Sequence, residues 1–359
     1  MKKRIITTVL GTVLAIGLLS GCGNPQSANK TVTSVEDVPA ATSDGTDVVP
    51  EQTAADSKDD LNQAREIRIG TNNNYFTATV AYQKGFLQDE FGDGFKISLH
   101  NFTNGPQQIE AIAAGELDIV QYGDVPTTNS YANNAGVHVI SNLWSSDDAY
   151  ALLAGPDSGI SQPSDLKGKT VAIGIGTNNH QFLLKVLEAG GLTEADINIL
   201  NISSGSDQLA SLIEGSVDAI TATQPNFDSY AEKSGGKIIV TNKDYNLAAT
   251  FILATDDFAA KNPDTVARVL KVLDQTNKWI EENLDESVTI VADYFGIAEA
   301  DARKYWDTRV FDIGWSDELT ETLGATVEYE YEQGLIKAKF DPNDAIDTTY
   351  LELAGIHTK

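Results

Sequence analysis

Cysteine is nearly missing from this chain: Cys22 is the only one among 359 residues. No disulfide can form within the chain, and no cysteine-based zinc or iron–sulfur site can be assembled. Histidine is also scarce, and His100, His138, His180 and His357 show no metal-ligand spacing. No metal and no cofactor is expected. Positive charge is in short supply, with 25 Lys and Arg against 52 Asp and Glu and a formal net charge of -27. That balance argues against nucleic acid and against broad adhesion to anionic lipid headgroups. It favours solubility, and it offers an anionic ligand no long-range attraction. Catalytic signatures are missing as well. There is no G-x-S-x-G nucleophile elbow, and the run from Gly174 to Asn179 lacks the third glycine of a dinucleotide fingerprint.

The amino terminus explains the lone cysteine. Lys2, Lys3 and Arg4 form a positive segment, and Ile5 to Leu19 form an apolar one, interrupted by Thr7, Thr8 and Thr12. This run is shorter than the roughly 20 apolar residues of a transmembrane helix and has the form of a secretory signal. It closes on Leu-Leu-Ser-Gly-Cys, which resembles the bacterial lipobox, where the cysteine is diacylated and becomes the first residue after cleavage. Residues 1–21 are therefore expected to be a lipoprotein signal peptide, and Cys22 the lipidation site. Residues 22–65 are rich in Ser, Thr, Asp, Ala and Pro, with scattered valines that follow no helical or strand period. Such a segment cannot bury enough apolar surface to offset its ordering entropy. It reads as a flexible tether holding a folded body away from a membrane.

The folded body repeats itself. Gly-Thr-Asn-Asn occurs at Gly70 and again at Gly176, each time after a short apolar run and before a helical pattern. A second phrase recurs as GPQQIEAIAAGELDIVQYGDVP from Gly105 and GSDQLASLIEGSVDAITATQP from Gly205. Gln108, Ile109, Ile112, Gly115 and Asp118 match Gln208, Leu209, Leu212, Gly215 and Asp218. In each copy an amphipathic helix ends on a glycine stop signal, and an apolar strand follows. Strands alternating with helices imply mostly parallel sheets with crossovers, and the duplication implies two similar α/β lobes. Ligands bind at the carboxyl ends of such strands, where helix N-termini present unpaired N–H groups. Two facing lobes would bring both Gly-Thr-Asn-Asn corners to one cleft. Thr177 also has the plainer role of a helix N-cap.

These stretches, with SQPSDLKGKTVAIGIGTNNHQFLLKVLEAGGL from Ser161, resemble the extracytoplasmic solute-binding proteins of ABC importers. The resemblance is to the branch that takes up aliphatic sulfonates, taurine, nitrate and thiamine-pyrimidine precursors, and it runs from about Glu66 to about Phe258. It implies a two-lobe, Venus-flytrap fold of the type II periplasmic-binding-protein kind. The expected organisation is lobe 1 over 66–147, lobe 2 over 148–248, and 249–359 as a return to lobe 1 with C-terminal helices. Within that return, Val266, Val269, Leu270 and Leu273 mark an apolar helical stripe read as core. The resemblance also implies delivery to a membrane permease driven by a cytoplasmic ATPase and no catalysis. A monomer is expected because each lobe is self-contained and the cleft needs freedom to close, and Cys22 with its tether implies a lipid-anchored location on the extracytoplasmic face of the cell membrane.

By the same resemblance, the ligand-binding positions are Asn73, Asn74 and Tyr75 on the first corner, Gly123 and Asp124 after a lobe-one strand, and Thr177, Asn178, Asn179 and His180 on the second corner. Gln224 and Asn226 follow the last lobe-two strand. There, relatives commonly carry Trp-Asp-Pro, and this chain has Thr-Gln-Pro-Asn-Phe, so an aromatic wall is missing. Trp144 either replaces that surface or packs at the hinge. The candidate site shows amides and hydroxyls but no evident Arg or Lys, a set that can hold a sulfonate through neutral donors. Asp124 either faces the cleft, which would suit a zwitterion such as taurine or another amine-bearing solute, or caps a helix and pairs within its lobe. A thiamine-pyrimidine synthase of this fold relies on a cysteine-rich segment and an active-site histidine. The folded body has no cysteine, so enzyme activity is not expected. A sensing or adhesion lipoprotein without an importer is the alternative from another class.

Overall fold

A computed structural model of the protein describes residues 62–72, 76–245 and 247–356. The expected signal peptide, the tether up to residue 61, Cys22, Asn73, Asn74 and Tyr75 lie outside the described residues. The chain opens with β1 (Glu66–Asn72), α1 (Phe76–Gln83), α2 (Phe86–Phe91), β2 (Lys96–Phe102), α3 (Gly105–Ala113), β3 (Ile119–Gly123), α4 (Asp124–Ala132) and β4 (Val137–Ser146). There follow β5 (Tyr150–Ala154), β6 (Thr170–Ile173), α5 (Asn178–Ala189), β7 (Asn198–Asn201), α6 (Gly205–Ile213), β8 (Ala219–Thr223), α7 (Asn226–Ser234) and β9 (Lys237–Thr241). The last part holds β10 (Ala248–Thr255), α8 (Asp256–Lys261), α9 (Pro263–Glu282), α10 (Leu284–Phe295), α11 (Glu299–Asp307), β11 (Val310–Phe311), α12 (Asp317–Glu332) and α13 (Thr349–Ala354).

Two sheets result. One has the strand order β11-β4-β10-β3-β1-β2, the other β7-β6-β8-β5-β9. Each keeps a parallel half, β2-β1-β3 and β7-β6-β8. The strands by which the chain crosses and returns are antiparallel to their neighbours, so both sheets are mixed rather than mostly parallel. The two crossings are tied together by Asn242, whose side-chain oxygen accepts from the backbone N–H of Ala149 and of Tyr150, each at 2.8 Å. Asn242 is fully buried, where an unmatched amide would be costly and a matched one fixes geometry.

The second repeated phrase has a structural basis. In the first sheet, Asp118 accepts from the backbone N–H of Arg68 and pairs with its guanidinium at 2.6 Å. In the second, Asp218 accepts from the backbone N–H of Thr170. Each aspartate therefore locks the start of a central strand to the strand beside it. The preceding helices start on side-chain caps, Asn104 to the N–H of Gln107 and Ser204 to that of Asp207. They are followed by Gly115 and Gly215, both at φ 70, the left-handed region where a side chain is strained. The apolar stripe of α9 is core as its spacing implies, with Val266, Val269, Leu270 and Leu273 buried.

The Gly-Thr-Asn-Asn phrase does not repeat in three dimensions. Ile69 and Gly70 pair with Ile119 and Val120, whereas Val171 and Ala172 pair with Ala219 and Ile220. Gly70 thus corresponds to Ala172, not to Gly176, and Gly70 to Asn72 lie inside β1 rather than at a corner. The likeness of wording reflects two different local structures, a strand end and a helix start. A Cβ on Gly70 would sit 2.6 Å from Gln108 Oε1 and 2.8 Å from Leu117 Cδ1. Gln108 cannot swing away cheaply, because its amide donates to Asn72 Oδ1 and the Gln121 carbonyl and accepts from the Gln121 N–H. Gly70→Ala is expected to destabilise the fold by about 1–3 kcal/mol, the usual range for overpacking a filled core, read as a lower midpoint in urea. An unchanged midpoint would show that Gln108 yields.

Candidate functional site

The carboxyl ends of the parallel strands face each other across a cavity of about 650 Å³. Helix starts surround it. Asn104 and Gly105 at the start of α3, Thr177 and Asn178 at α5, Ser204 and Gly205 at α6, and Asn226 at α7 all line it. Each start leaves backbone N–H groups outside the helical ladder and carries partial positive charge. Several helices aimed at one space form a field that favours an anion. Thr177 caps its own helix: its hydroxyl donates to the Gly174 carbonyl at 2.7 Å and accepts from the His180 N–H.

Arg309 also lines this cleft, contrary to the expectation that the site lacks a cation. Its guanidinium carbon lies 3.5 Å from the ring centre of Tyr305 and 4.5 Å from that of Trp144. Its nitrogens donate to the Tyr305 carbonyl at 3.0 Å and to the Gln224 carbonyl at 3.3 Å. The first acceptor lies in the last turn of α11 and the second directly follows β8, so one side chain links the two halves of the cleft. Among the described residues that line the cleft, Arg309 is the one formally charged side chain. Local pattern could not reveal it. The arginine reaches the cleft because β11, which follows it, pairs with β4 beside Trp144.

Of the other residues expected at the site, Gly123, Trp144, Thr177, Asn178, Asn179 and Asn226 line the cavity. Trp144 is nearly fully buried and serves as a floor beneath Arg309, which joins the two roles open to it. Asn178 spends its amide on Asp124. Asp124, His180 and Gln224 do not line the cavity and are buried behind it. His180 accepts from the Gly176 N–H through Nδ1, and burial holds its pKa below the usual histidine range. Gln224 contributes its backbone carbonyl to Arg309. Aromatic surface is not missing, since Tyr150, Tyr230, Tyr294 and Tyr305 line the cleft with Trp144. The tyrosines come from four elements or their flanks and follow no single sequence period.

Asp124, the first residue of α4, belongs to a buried polar junction of three helices. It accepts from the amide of Asn178 on α5 and from the hydroxyl of Thr326 on α12, the latter at 2.7 Å. Gln181 of α5 donates to the same Thr326 hydroxyl at 3.3 Å. Glu330, one turn along α12, is fully buried and accepts from Asn129 of α4 at 2.9 Å. Burial pushes the Asp124 carboxyl up to about 6, against the Thr326 hydrogen bond and the nearby Lys185 ammonium. Burial, then repulsion from Asp124, pushes Glu330 up to about 9, against its bond from Asn129. Neither carboxyl is offered to a ligand.

A two-lobed body with crossed-over mixed sheets and a polar cleft between them, with one cation among the described residues lining it, is the architecture that solute-binding proteins share. The chain belongs to the NMT1/THI5-like family, which matches residues 72–287, and to the ABC solute-binding branch of this fold. It is 30% identical to a protein of Bacillus subtilis (strain 168) named for binding aliphatic sulfonates, over 82% of this chain and 90% of the relative. A protein of Escherichia coli (strain K12) named in the same way is 25% identical, over 77% of this chain and 86% of that one. Among solved structures, the alkanesulfonate-binding protein SsuA from Xanthomonas axonopodis pv. citri, bound to MOPS, superposes with a TM-score of 0.72 at 24% identity. That match covers 79% of this chain and 98% of the other. Among the described residues no helix is long and apolar enough to cross a membrane.

The acid junction sets a pH dependence. Both carboxyl pKa values are raised on folding, so the folded protein keeps protons that the unfolded chain releases above roughly pH 4. Stability from these groups is therefore highest at low pH and declines as pH rises toward about 6 for Asp124 and about 9 for Glu330. Glu330→Gln keeps the shape and removes the titration. Its melting temperature is expected to match wild type near pH 5 and to exceed it at pH 8. An offset that is the same at both pH values would remove Glu330 as the cause.

Proposed function

We propose that this chain is an extracytoplasmic solute-binding lipoprotein of an ABC importer that captures a small sulfonate in the cleft and hands it to a permease. One observation carries the reading: Arg309, packed against Trp144 and Tyr305, is the single formal charge among the described residues lining a cleft of helix starts and neutral donors, in a chain of net charge -27. A chain so acidic that keeps carboxylates out of its cleft is suited to an anion. Sulfonate is permanently ionised and accepts several hydrogen bonds, matching a guanidinium and convergent N–H groups. The names of the two relatives, sulfonate-binding proteins in both cases, point the same way. The reading includes no catalysis, a monomer, and a lipid on Cys22 with residues 22–65 as the tether. A membrane permease with its cytoplasmic ATPase is the partner.

Closure follows from the position of Arg309. It belongs to the segment that returns to the first sheet, yet it donates to a carbonyl at the end of β8 in the second. An anion on that guanidinium is held by both lobes, so binding favours the closed arrangement by the difference in affinity between the two states. Gly123, Thr177, Asn178, Asn179 and Asn226 would complete the lining around it.

The test is binding to the body from Glu66 to Lys359. Ethane- to hexanesulfonates, taurine and nitrate would be screened by thermal shift and affinities then measured by calorimetry. A ligand at 100 times its Kd stabilises by roughly 2.7 kcal/mol. Arg309→Gln is expected to weaken sulfonate binding about 10- to 100-fold, the usual worth of a buried charge-assisted pair. Wild-type affinity in that variant, with the fold intact, would rule out Arg309 as the anion site.

A further inference from the structure

The two copies of the repeated phrase differ where they meet the cleft. In the first lobe, Gln108 is saturated by Asn72 and by both backbone groups of Gln121. Gln208 stands at the same place in the second lobe, where the residues equivalent to Asn72 and Gln121 are Gly174 and Thr221. The Gln208 amide nitrogen donates to the Ile202 carbonyl at 2.7 Å. A carbonyl can only accept, so the side chain cannot be flipped, and Oε1 is fixed as an acceptor on the other side. Gln208 Oε1, Thr221 Oγ1 and Asn179 Oδ1 have no hydrogen-bond partner among the described residues. Gln208 is 5% exposed and Thr221 3% exposed, and all three side chains line the cleft. Buried polar atoms of native proteins are rarely left unmatched, because each costs its full desolvation.

We propose that Gln208, Thr221 and Asn179 form a subsite for hydroxyl groups, and that the ligand is a polyhydroxylated sulfonate of sugar size rather than a plain alkanesulfonate or an amino-sulfonate. The inference rests on the sulfonate reading above for the charged end of the ligand. Three features select hydroxyls. A hydroxyl both donates and accepts, which matches an amide oxygen, a threonine hydroxyl and the helix-start N–H groups of α5 and α6. An ammonium would find no carboxylate among the described residues lining the cleft and would face the positive ends of those helices. An alkyl chain would bury the three oxygens unmatched, and a site built to bond a hydroxyl discriminates strongly against the analogue without it. Size agrees. The cavity of about 650 Å³ has room for a hexose. Tyrosine and tryptophan faces along the cleft suit the apolar face of a sugar ring.

The test compares 6-deoxy-6-sulfoglucose, n-hexanesulfonate, taurine and glucose by calorimetry on wild type, Thr221→Val and Gln208→Met. Wild type is expected to bind the sulfosugar at least tenfold more tightly than hexanesulfonate or taurine. Each variant is expected to lose that preference while keeping its affinity for hexanesulfonate. Thr221→Val, which deletes an unmatched hydroxyl, is expected to melt no lower than wild type, so loss of binding there cannot be loss of fold. Equal binding of sulfosugar and hexanesulfonate by wild type, or an unchanged preference in both variants, would overturn the hydroxyl subsite and leave the sulfonate reading intact. Glucose bound as tightly as the sulfosugar, with loss in the variants, would uphold the subsite and overturn the sulfonate reading. Tightest binding of taurine would overturn the choice of hydroxyl over ammonium.

Discussion

The fold depends on one insertion: β10 enters the first sheet between β3 and β4 after the chain has built the second. Without it, β3 and β4 would each present a row of unmatched backbone groups in the middle of a buried sheet, which is costly. Ala248 to Ala254 are buried along their whole length, so the strand cannot be supplied late by a loosely held segment. The chain must therefore leave the first lobe and come back beside its point of departure. Asn242, bonded to Ala149 and Tyr150, fastens the two passages at that point. The cleft lies where the lobes are joined, and its width is limited by this double crossing.

Charge is arranged around the same joint. Most of the surplus of acid is solvent-exposed, where water screens it. Three carboxyls are buried among the described residues: Asp118 is paired with Arg68, and the junction of α4, α5 and α12 occupies Asp124 and Glu330, whose raised pKa values record their burial. Among the described residues, the cleft receives a single cation, set against two rings, and the starts of several helices. Local field thus opposes global charge: an anion that reaches the cleft finds donors there although the molecule as a whole repels it.

The duplication supplies the frame, and departures from it supply the site. Asp118 and Asp218 do the same work at the start of paired strands, and Gly115 and Gly215 end helices in the same left-handed turn. Gln108 and Gln208 begin alike and part company because their neighbours differ: one glutamine is sealed into the core of its lobe, and the other lines the cleft with an acceptor left unmatched among the described residues.

The sequence by itself determined what depends on neighbours close along the chain. Helix caps at Asn104, Thr177 and Ser204, glycine stops, the apolar stripe of α9 and the Gln-to-Asp phrase of each lobe are written in local spacing, because capping and periodicity act over a few residues. From these followed two α/β lobes and the helix starts that face the cleft. The tertiary structure decided the rest. It put the first Gly-Thr-Asn inside β1, since strand register is fixed by Asp118 and the core and not by wording. It placed Asp124 behind the cleft, because α12, about 200 residues later in the chain, covers it with Thr326. It brought Arg309 into the cleft through the pairing of β11 with β4. Each of these rests on contacts between segments far apart in the chain, and no local pattern encodes which distant segment will arrive.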